Sequence, residues 1–345
     1  YISKYKILSA NYNSLMRKKI GLFWLRDDFR ITKNHGLAEA TKNHDQVVVF
    51  YLYKKSTYDN QEAQRWWLSK SLLSFQKKLN DFNINLEIIK TESFKVFFKK
   101  LLKKDDISIY WNKVYEPDYL KFDKYLLKNL TTRNIHFEIG KGNALNELDE
   151  VKKSDGTPFK VFTPFWKNAE QKYLEQVPSK ITKLKILDSA QTLMGKSINS
   201  EEILPKKNWY KKFEKYWTPS EKEAKMYMQN LIKNKIKNYG DTRDFPSIDG
   251  TSKISPYLKH GQIHVETIWN ACQKIEVKGK GYRKYINELG WREFSHSLIN
   301  YFPQMLEGNL RKDFDNFPWV KNEKFLKKWK QGMTGYPIVD AGMRE

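Results

Sequence analysis

A stretch in the second half of the chain carries residue types that suit phosphate binding. In DFPSIDGTSKISPYLKHGQI (244–263), Gly250 permits a tight turn. Three hydroxyls and one cation follow it closely: Thr251, Ser252, Lys253 and Ser255. If Thr251 or Ser252 caps a helix that begins here, the free backbone N–H groups, the hydroxyls and the cation form a cradle for a diphosphate. An ordinary Ser/Thr helix cap explains the same spacing without a ligand.

A second stretch, INELGWREFSHSLINYF (286–302), is dense in charged and aromatic side chains. At steps of three and four residues, one helix face is predicted to hold Tyr285, Glu288, Trp291 or Arg292, and Ser295. The remaining apolar residues fall largely elsewhere and are expected in the core: Ile286, Leu289, Phe294 and Leu298. A carboxylate, a large ring and a guanidinium on one face suit a planar, hydrogen-bonding, partly anionic ligand. A solvent-exposed face with Glu–Arg pairing and a half-buried Trp is the alternative.

The first 140 residues or so alternate between strand-like and helical patterns, which is the arrangement that could position such groups. Runs rich in β-branched and aromatic residues predict strands at 20–26, 46–53, 84–90, 107–111 and 135–140. Helical stretches at 64–82 and 94–104 lie between them. This alternation predicts a parallel, doubly wound sheet, in which ligands bind beyond the carboxyl ends of the strands. No G-x-G-x-x-G follows the first strand, which argues against an ordinary dinucleotide dehydrogenase.

The pattern changes twice along the chain, and we therefore predict an α/β N-terminal domain, a connector and an all-α domain. The α/β domain is assigned to 18–142, the turn-rich connector to 143–208, and the helical domain to 209–345. Within the last of these, 220–239 is predicted to be a helix that begins at Ser220.

The bulk composition indicates a polyanionic partner and a reducing compartment. Lys and Arg number 63 against 40 Asp and Glu, giving a net charge of +23, which favours nucleic acid. A Lys-rich composition bias, spread through ordinary amphipathic helices, is the alternative. With Cys272 as its one cysteine, the chain can form neither an internal disulfide nor a Cys-based zinc site, and no metal site is predicted. The longest apolar run, around 47–53, is far shorter than the ~20 residues of a membrane helix. We expect a cytoplasmic protein, monomeric and without membrane contact.

Five segments, spread over nearly the whole chain, follow one another in a recognisable order: GLFWLRDDFRITKNHGLAEA (21–40), FTPFWK (162–167), RDFPSIDGTSKISPYLKHGQI (243–263), ELGWREFSHSLINYFP (288–303) and WKQGMTGYPIVDAGMRE (329–345). Together they resemble the photolyase/cryptochrome family, and most of all its microbial class I cyclobutane-dimer photolyases. The resemblance implies an N-terminal antenna domain, a connector and a helical domain that binds FAD and DNA.

The resemblance also implies residue roles on the cofactor side. Tyr239 matches a family FAD contact, and the flavin phosphate loop matches Thr251, Ser252, Lys253, Ile254 and Ser255. The family usually has Arg where Lys253 stands, and many relatives have Trp where Tyr285 would contact the flavin. A second, light-harvesting chromophore is also implied, with its identity open. Folate-binding relatives carry an Asn-Glu pair where this chain reads Asp118-Tyr119.

On the DNA side, the resemblance implies that Glu288 and Trp291 hydrogen-bond to and stack on a pyrimidine dimer flipped out of the duplex. Arg243, Arg292 and Ser295 then belong to the DNA-contacting set. Trp319 matches the outermost Trp of the series of tryptophans that carries electrons to the flavin during its photoreduction.

The function implied is light-driven repair of cyclobutane pyrimidine dimers in DNA by electron transfer from reduced FAD, a deoxyribodipyrimidine photolyase activity. A cryptochrome photoreceptor and a (6-4) photolyase are the alternatives within the family. If the resemblance is set aside, the alternative is a basic nucleic-acid-binding protein without enzyme activity. Since the family's helical domain continues past the TGYP motif, we expect residues 1–345 to be an incomplete form that holds FAD weakly and does not repair DNA.

Overall fold

The computed structural model describes residues 20–102, 107–129, 135–176, 183–188 and 197–345. Backbone contacts divide the chain into two compact units, Tyr1–Tyr301 and Phe302–Glu345.

A five-stranded parallel sheet forms the N-terminal part of the first unit. Its strands are β1 Ile20–Leu25, β2 Gln46–Tyr53, β3 Asn85–Lys90, β4 Ile107–Asn112 and β5 Ile135–Gly140. Four helices alternate with them: α1 His35–Asn43, α2 Glu62–Asn80, α3 Phe94–Leu101 and α4 Pro117–Asn129. The predicted parallel, doubly wound sheet is therefore confirmed, and each predicted strand agrees with the structure to within one residue at either end.

The strand order, β3-β2-β1-β4-β5, creates a crevice in the middle of the sheet. The chain winds one way from β1 to β3 and the other way from β4 to β5, so connections leave β1 and β4 in opposite directions. Ligands of open parallel sheets bind beyond the carboxyl ends of the two strands where this reversal occurs. The fold therefore predicts a ligand site among the residues that follow Leu25 and Asn112.

Apolar side chains cover both faces of the sheet, which explains the nearly continuous apolar character of the central strands. One core lies between the sheet and α1 and α2, around Leu37, Leu72 and Phe75. The other lies between the sheet and α3 and α4, around Phe98 and Leu126.

Helices dominate the rest of the first unit. They are α5 Phe162–Glu175, α6 Glu221–Asn230, α7 Tyr239–Thr242, α8 Ser255–Lys259, α9 Val265–Gln273 and α10 Lys280–Tyr301. Short 3₁₀ helices in this unit are Lys55–Tyr58, Leu148–Glu150, Ser200–Ile203, Asn208–Lys215 and Ile236–Asn238. In the second unit the helices are 3₁₀ Pro303–Leu306 and Lys312–Asn316, then α11 Glu323–Lys330 and α12 Pro337–Arg344. None of the helices in the described ranges is long and apolar enough to cross a bilayer.

The helix predicted over 220–239 begins as expected but is not continuous. Ser220 caps it, with its hydroxyl accepting a hydrogen bond from the Glu223 N–H at 3.1 Å. After Asn230 the chain forms a π-helical turn and then a 3₁₀ turn before α7. This segment packs tightly against α10: a Cβ on Gly281 would lie 2.2 Å from the Ile236 carbonyl oxygen. This irregular passage reorients the chain, and α7 then starts at Tyr239.

The predicted domain boundaries follow the change from strands to helices and stay predictions. The two compact units divide instead after Tyr301, at the end of α10. Residues 18–19, 103–106 and 130–134 of the predicted α/β domain, and 177–182 and 189–196 of the predicted connector, lie outside the described residues.

Candidate cofactor and DNA site

A cavity of about 460 Å³ lies where the sheet crevice meets the helices of the first unit. Its walls come from the segments that follow β1 and β4, from the 252–259 stretch that leads into and forms α8, and from one face of α10. The cavity therefore lies at the carboxyl end of the sheet, where the strand order reverses.

Five of the residues predicted on the cofactor side line this cavity: Tyr239, Ser252, Ile254, Ser255 and Tyr285. The rings of Tyr239 and Tyr285 meet edge to face at 5.1 Å and 90°. Burial raises the pKa of the Tyr285 phenol, opposed in part by a hydrogen bond with Ser252, so the phenol is neutral at physiological pH. Uncharged hydroxyls and rings thus form the inner wall.

The other two predicted loop residues, Thr251 and Lys253, are exposed and do not line the cavity. Lys253 forms an ion pair with Asp249 at 3.0 Å. The Thr251 carbonyl accepts a hydrogen bond from the Lys235 ammonium at 3.0 Å. These contacts tie the loop to the turn before it and to the end of the π-helical segment.

Neither Thr251 nor Ser252 caps the following helix, although the spacing allowed either of them to do so. The N-cap of α8 is Ile254, whose side chain makes no capping bond. Lys253 adopts a left-handed conformation, φ 54°, which turns the chain before the helix starts and separates the hydroxyls from the cap position. Gly250 fits here because a Cβ would lie 2.6 Å from the Thr242 carbonyl oxygen. Ser252 and Ser255 therefore face the cavity instead of closing a helix end.

One face of α10 contributes Tyr285, Glu288, Arg292 and Ser295 to the cavity, as the helical spacing predicted. The sequence left Trp291 and Arg292 as alternatives for this face, and Arg292 is the one that lines the cavity. The predicted core residues Ile286, Leu289 and Phe294 are buried, and Leu298 is partly buried against the same core.

Trp291 lies on the neighbouring flank of α10, outside the cavity lining. Its ring stacks on Phe162 with centroids 3.7 Å apart and planes 7° from parallel, and its side chain is 47% exposed.

The cavity's outer part holds an ion pair between Arg243 and Glu288. Arg243 also bonds to Asp244 at 3.1 Å and lies over the Tyr239 ring, 5.6 Å from its centroid. The Glu288 side chain is 31% exposed, whereas Tyr285, one turn earlier, is buried. A carboxylate and a guanidinium thus meet at the solvent side of the predicted flavin wall.

Arg292 is further from solvent. Burial lowers the pKa of its guanidinium, and the neighbouring Glu293 carboxylate, 3.2 Å away, opposes that shift. Glu293 in turn accepts a hydrogen bond from the Leu145 N–H at 2.9 Å. Arg292 is thereby held against the connector, with its side chain in the cavity wall.

Sequence reasoning did not single out the cavity residues that follow β1 and β4: Asp27, Asp28 and Arg30, and Asn112 to Glu116. Asp28 accepts hydrogen bonds from the Arg26 N–H at 3.0 Å and from the Asn112 amide at 2.5 Å, which join the ends of the two strands. The sequence predicted that a ligand would bind beyond the carboxyl ends of the strands. It did not predict the strand order, which determines that the site lies at the ends of β1 and β4.

Lys259, also missed, closes the cavity from the α8 side. Its ammonium lies 3.1 Å from Asp27 and 2.5 Å from Glu116. The attraction of Asp27 raises the pKa of this lysine, so it is fully charged at neutral pH. It joins both strand-end segments to the helices.

Trp319 belongs to the second unit, where its ring lies 4.7 Å from that of Phe317 and its side chain is 69% exposed.

Comparison with known proteins gives this arrangement a family. Residues 21–182 match the DNA photolyase family, and residues 285–345 match the FAD binding domain of DNA photolyase. The deoxyribodipyrimidine photo-lyase of Agrobacterium fabrum is 30% identical over 326 residues, which cover 94% of this chain and 68% of that protein. The chain belongs to the photolyase/cryptochrome family.

Solved structures of photolyases agree with this membership. A bacterial class III photolyase from Agrobacterium tumefaciens superposes with a TM-score of 0.86 at 30% identity, covering 97% of this chain and 70% of that one. The resemblance to class I enzymes in particular stays a prediction. Cryptochromes are similar too: cryptochrome-2 of Arabidopsis thaliana is 27% identical over 343 residues, or 94% of this chain and 56% of that protein.

FAD is the cofactor of this family, and the residues on the cavity wall fit it. The match to the FAD binding domain begins at Tyr285 and so includes the cavity face of α10. The hydroxyls of Ser252 and Ser255 can bond phosphate oxygens because neither is used as a helix cap. The Tyr239 and Tyr285 rings supply flat apolar surface next to them.

Proposed function

We propose that the full-length form of this photolyase-family protein uses light to repair cyclobutane pyrimidine dimers in DNA. One observation carries the proposal: the predicted lesion contact Glu288 and the predicted flavin contacts Tyr239, Ser252 and Tyr285 line a single cavity. Electron transfer to a lesion requires donor and acceptor to be close together. A cavity shared by both sets of residues supports that arrangement.

The chain's own groups have distinct tasks in this proposal. When bound and excited by light, reduced FAD would supply the electron that opens the cyclobutane ring and would recover it from the separated pyrimidines, so that the step is redox-neutral. Ser252 and Ser255 hold phosphate oxygens, and the tyrosine wall excludes water from the flat part of the cofactor. Glu288, oriented by its ion pair with Arg243, accepts hydrogen bonds from the N–H groups of an unstacked pyrimidine. Arg243 then lies where a neighbouring DNA phosphate would be attracted.

The test is the absorption spectrum of the purified protein, followed by exposure of dimer-containing DNA to blue light. The proposal predicts a flavin spectrum and loss of dimers in the light but not in the dark. Bound flavin without dimer loss would favour a photoreceptor, and repair of (6-4) products alone would reassign the substrate.

A cryptochrome function is the second candidate. The observation in its favour is that Trp291, the residue expected to stack on the lesion, does not line the cavity. If this candidate is correct, the holoprotein will bind dimer-containing and intact DNA equally well.

Binding to intact duplex DNA is expected to weaken steeply with salt, because the chain carries a net charge of +23. Each phosphate neutralised on B-DNA contributes roughly −0.9 to the slope of log K against log salt. Three such contacts predict roughly a fortyfold loss between about 50 and 200 mM salt. A salt series of binding isotherms measures this. Since lesion contacts are not phosphate contacts, dimer-containing DNA should give a parallel line; a flat response would contradict the electrostatic argument.

Trp319→Phe is expected to slow light-driven reduction of the oxidised flavin while sparing repair that starts from chemically reduced flavin. An exposed indole is accessible to external reductants, as an outermost electron donor must be. Photoreduction and repair are followed separately in the variant and in Phe317→Leu, which alters the neighbouring ring and keeps the indole. Loss of repair from the pre-reduced state would place Trp319 at the lesion or in the structural core.

A further inference from the structure

The FTPFWK segment, which the proposed function leaves without a role, contacts the predicted lesion-stacking residue. Phe162, the first residue of α5, lies parallel to Trp291 at 3.7 Å between ring centroids, closer than any other ring pair in the described residues. Stacking this close covers one of the two faces of the indole. The 47% exposure of Trp291 leaves surface free for a second flat partner.

The packing of α5 against α10 fixes this pair. At Gly290 a Cβ would lie 2.4 Å from the Trp166 ring, so the two helices approach as closely as a glycine permits. The next residue along α10 is Trp291, which this contact brings over Phe162. Phe294 is buried beneath and meets both rings, at 6.0 Å from Phe162 and 5.9 Å from Trp291.

The orientation of Trp291 is therefore set by a residue from another helix. Without Phe162, the indole would be held by its own helix and the edge contact with Phe294, and its exposed position would allow other rotamers. A stacking platform loses affinity when its ring is mobile, because binding must then also order it.

We propose that Phe162 is a positioning residue: it holds the Trp291 ring so that one indole face is presented to an unstacked pyrimidine of damaged DNA. This inference rests on the proposed function, together with the predicted stacking of Trp291 on the lesion. Glu288 lies one helical turn before Trp291 on α10, so a base on the indole face is near the carboxylate that would bond its edge. Phe162 itself makes no contact with DNA in this proposal.

A double-mutant cycle tests it. The FAD-loaded protein, Phe162→Ala, Trp291→Ala and the double variant are compared for their preference for dimer-containing over intact duplex DNA. Trp291→Ala is expected to reduce the preference by roughly ten- to a hundredfold. Phe162→Ala is expected to reduce it by roughly three- to tenfold, and to have no further effect once Trp291 is absent.

Phe162→Tyr keeps the stacked ring and should restore the preference. Val161→Ala, on the neighbouring exposed side chain, is the control and should leave it unchanged. Flavin content and thermal unfolding identify any variant that is misfolded. If Phe162→Ala is misfolded, Phe162→Leu is measured in its place.

The outcomes separate the two claims. If Trp291→Ala lowers the preference and Phe162→Ala does not, the positioning role is wrong and the proposed function stands. If Phe162→Ala lowers the preference for dimer-containing DNA by the same factor in the parent and in Trp291→Ala, its effect does not depend on the indole and the inference is overturned. If neither variant alters the preference, Trp291 is not the lesion platform and both claims fall.

Discussion

Replacing Glu288 with Ala is expected to lower the preference of the FAD-loaded protein for dimer-containing DNA by roughly ten- to a hundredfold. A hydrogen bond to a charged group contributes about 1.5–3 kcal/mol, and the variant loses the bonds made to the unstacked base. It also removes one of the two carboxylates that pair with Arg243, and the guanidinium then attracts the phosphates of any duplex more strongly. Binding to intact DNA should therefore rise slightly while binding to damaged DNA falls.

The measurement is a pair of binding isotherms at one salt concentration, with flavin content as the check on folding. Glu170→Ala is the matched control, because Glu170 also pairs with an α10 arginine, Arg283, at 2.6 Å but does not line the cavity. It should release an arginine without changing the preference. If Glu288→Ala and Glu170→Ala behave alike, the assignment of Glu288 to the lesion is wrong.

Acidification from pH 7 to pH 5 is expected to cost about 2 kcal/mol of folding stability through His260 alone. Burial holds the pKa of this imidazole at about 3 in the folded protein, against about 6.5 in an unfolded chain. At a pH between these two pKa values, the imidazole is protonated in the unfolded state and neutral in the folded state. The stability contributed by neutral His260 is therefore complete above pH 6.5 and is lost as the pH falls toward 3. His296, whose pKa burial likewise lowers to about 3, adds a similar loss.

Denaturant unfolding at pH 7 and pH 5 measures the effect. His260→Phe keeps a flat ring stacked on Trp67, which lies 5.8 Å from the imidazole centroid at 20°, and removes the proton-binding group. The free energy of unfolding of this variant should change with pH by about 2 kcal/mol less than that of the parent. An equal pH response in the parent and the variant would contradict the assignment.

The sheet could be predicted from the sequence because each strand is a compact apolar run with turn signals on both sides. Its order could not, since the pairing of β1 with β4 depends on contacts between residues far apart in the chain. The strand-end residues Asp28 and Asn112 were therefore missed, although both line the cavity.

The cavity face of α10 could be predicted because helical periodicity places Tyr285, Glu288 and Ser295 together wherever the helix packs. Periodicity did not decide between Trp291 and Arg292, which lie near the edge of that face. The packing of α10 against α5 at Gly290 places Trp291 on Phe162, outside the cavity, and leaves Arg292 in the cavity wall. The left-handed Lys253 also could not be foreseen, because lysine rarely adopts positive φ and its ion pair with Asp249 is a property of the folded loop.

The central claim is that the flavin and lesion contacts share one cavity and so permit light-driven repair. Its most direct test is blue-light splitting of one defined cyclobutane dimer in an oligonucleotide by the FAD-loaded full-length protein, reduced beforehand. Parent and Glu288→Ala are compared at equal flavin content, with dark controls. We predict dimer loss by the parent only in the light, and loss reduced at least tenfold in the variant when DNA is not saturating. Flavin-loaded protein that binds DNA but leaves the dimer intact under illumination would contradict the account.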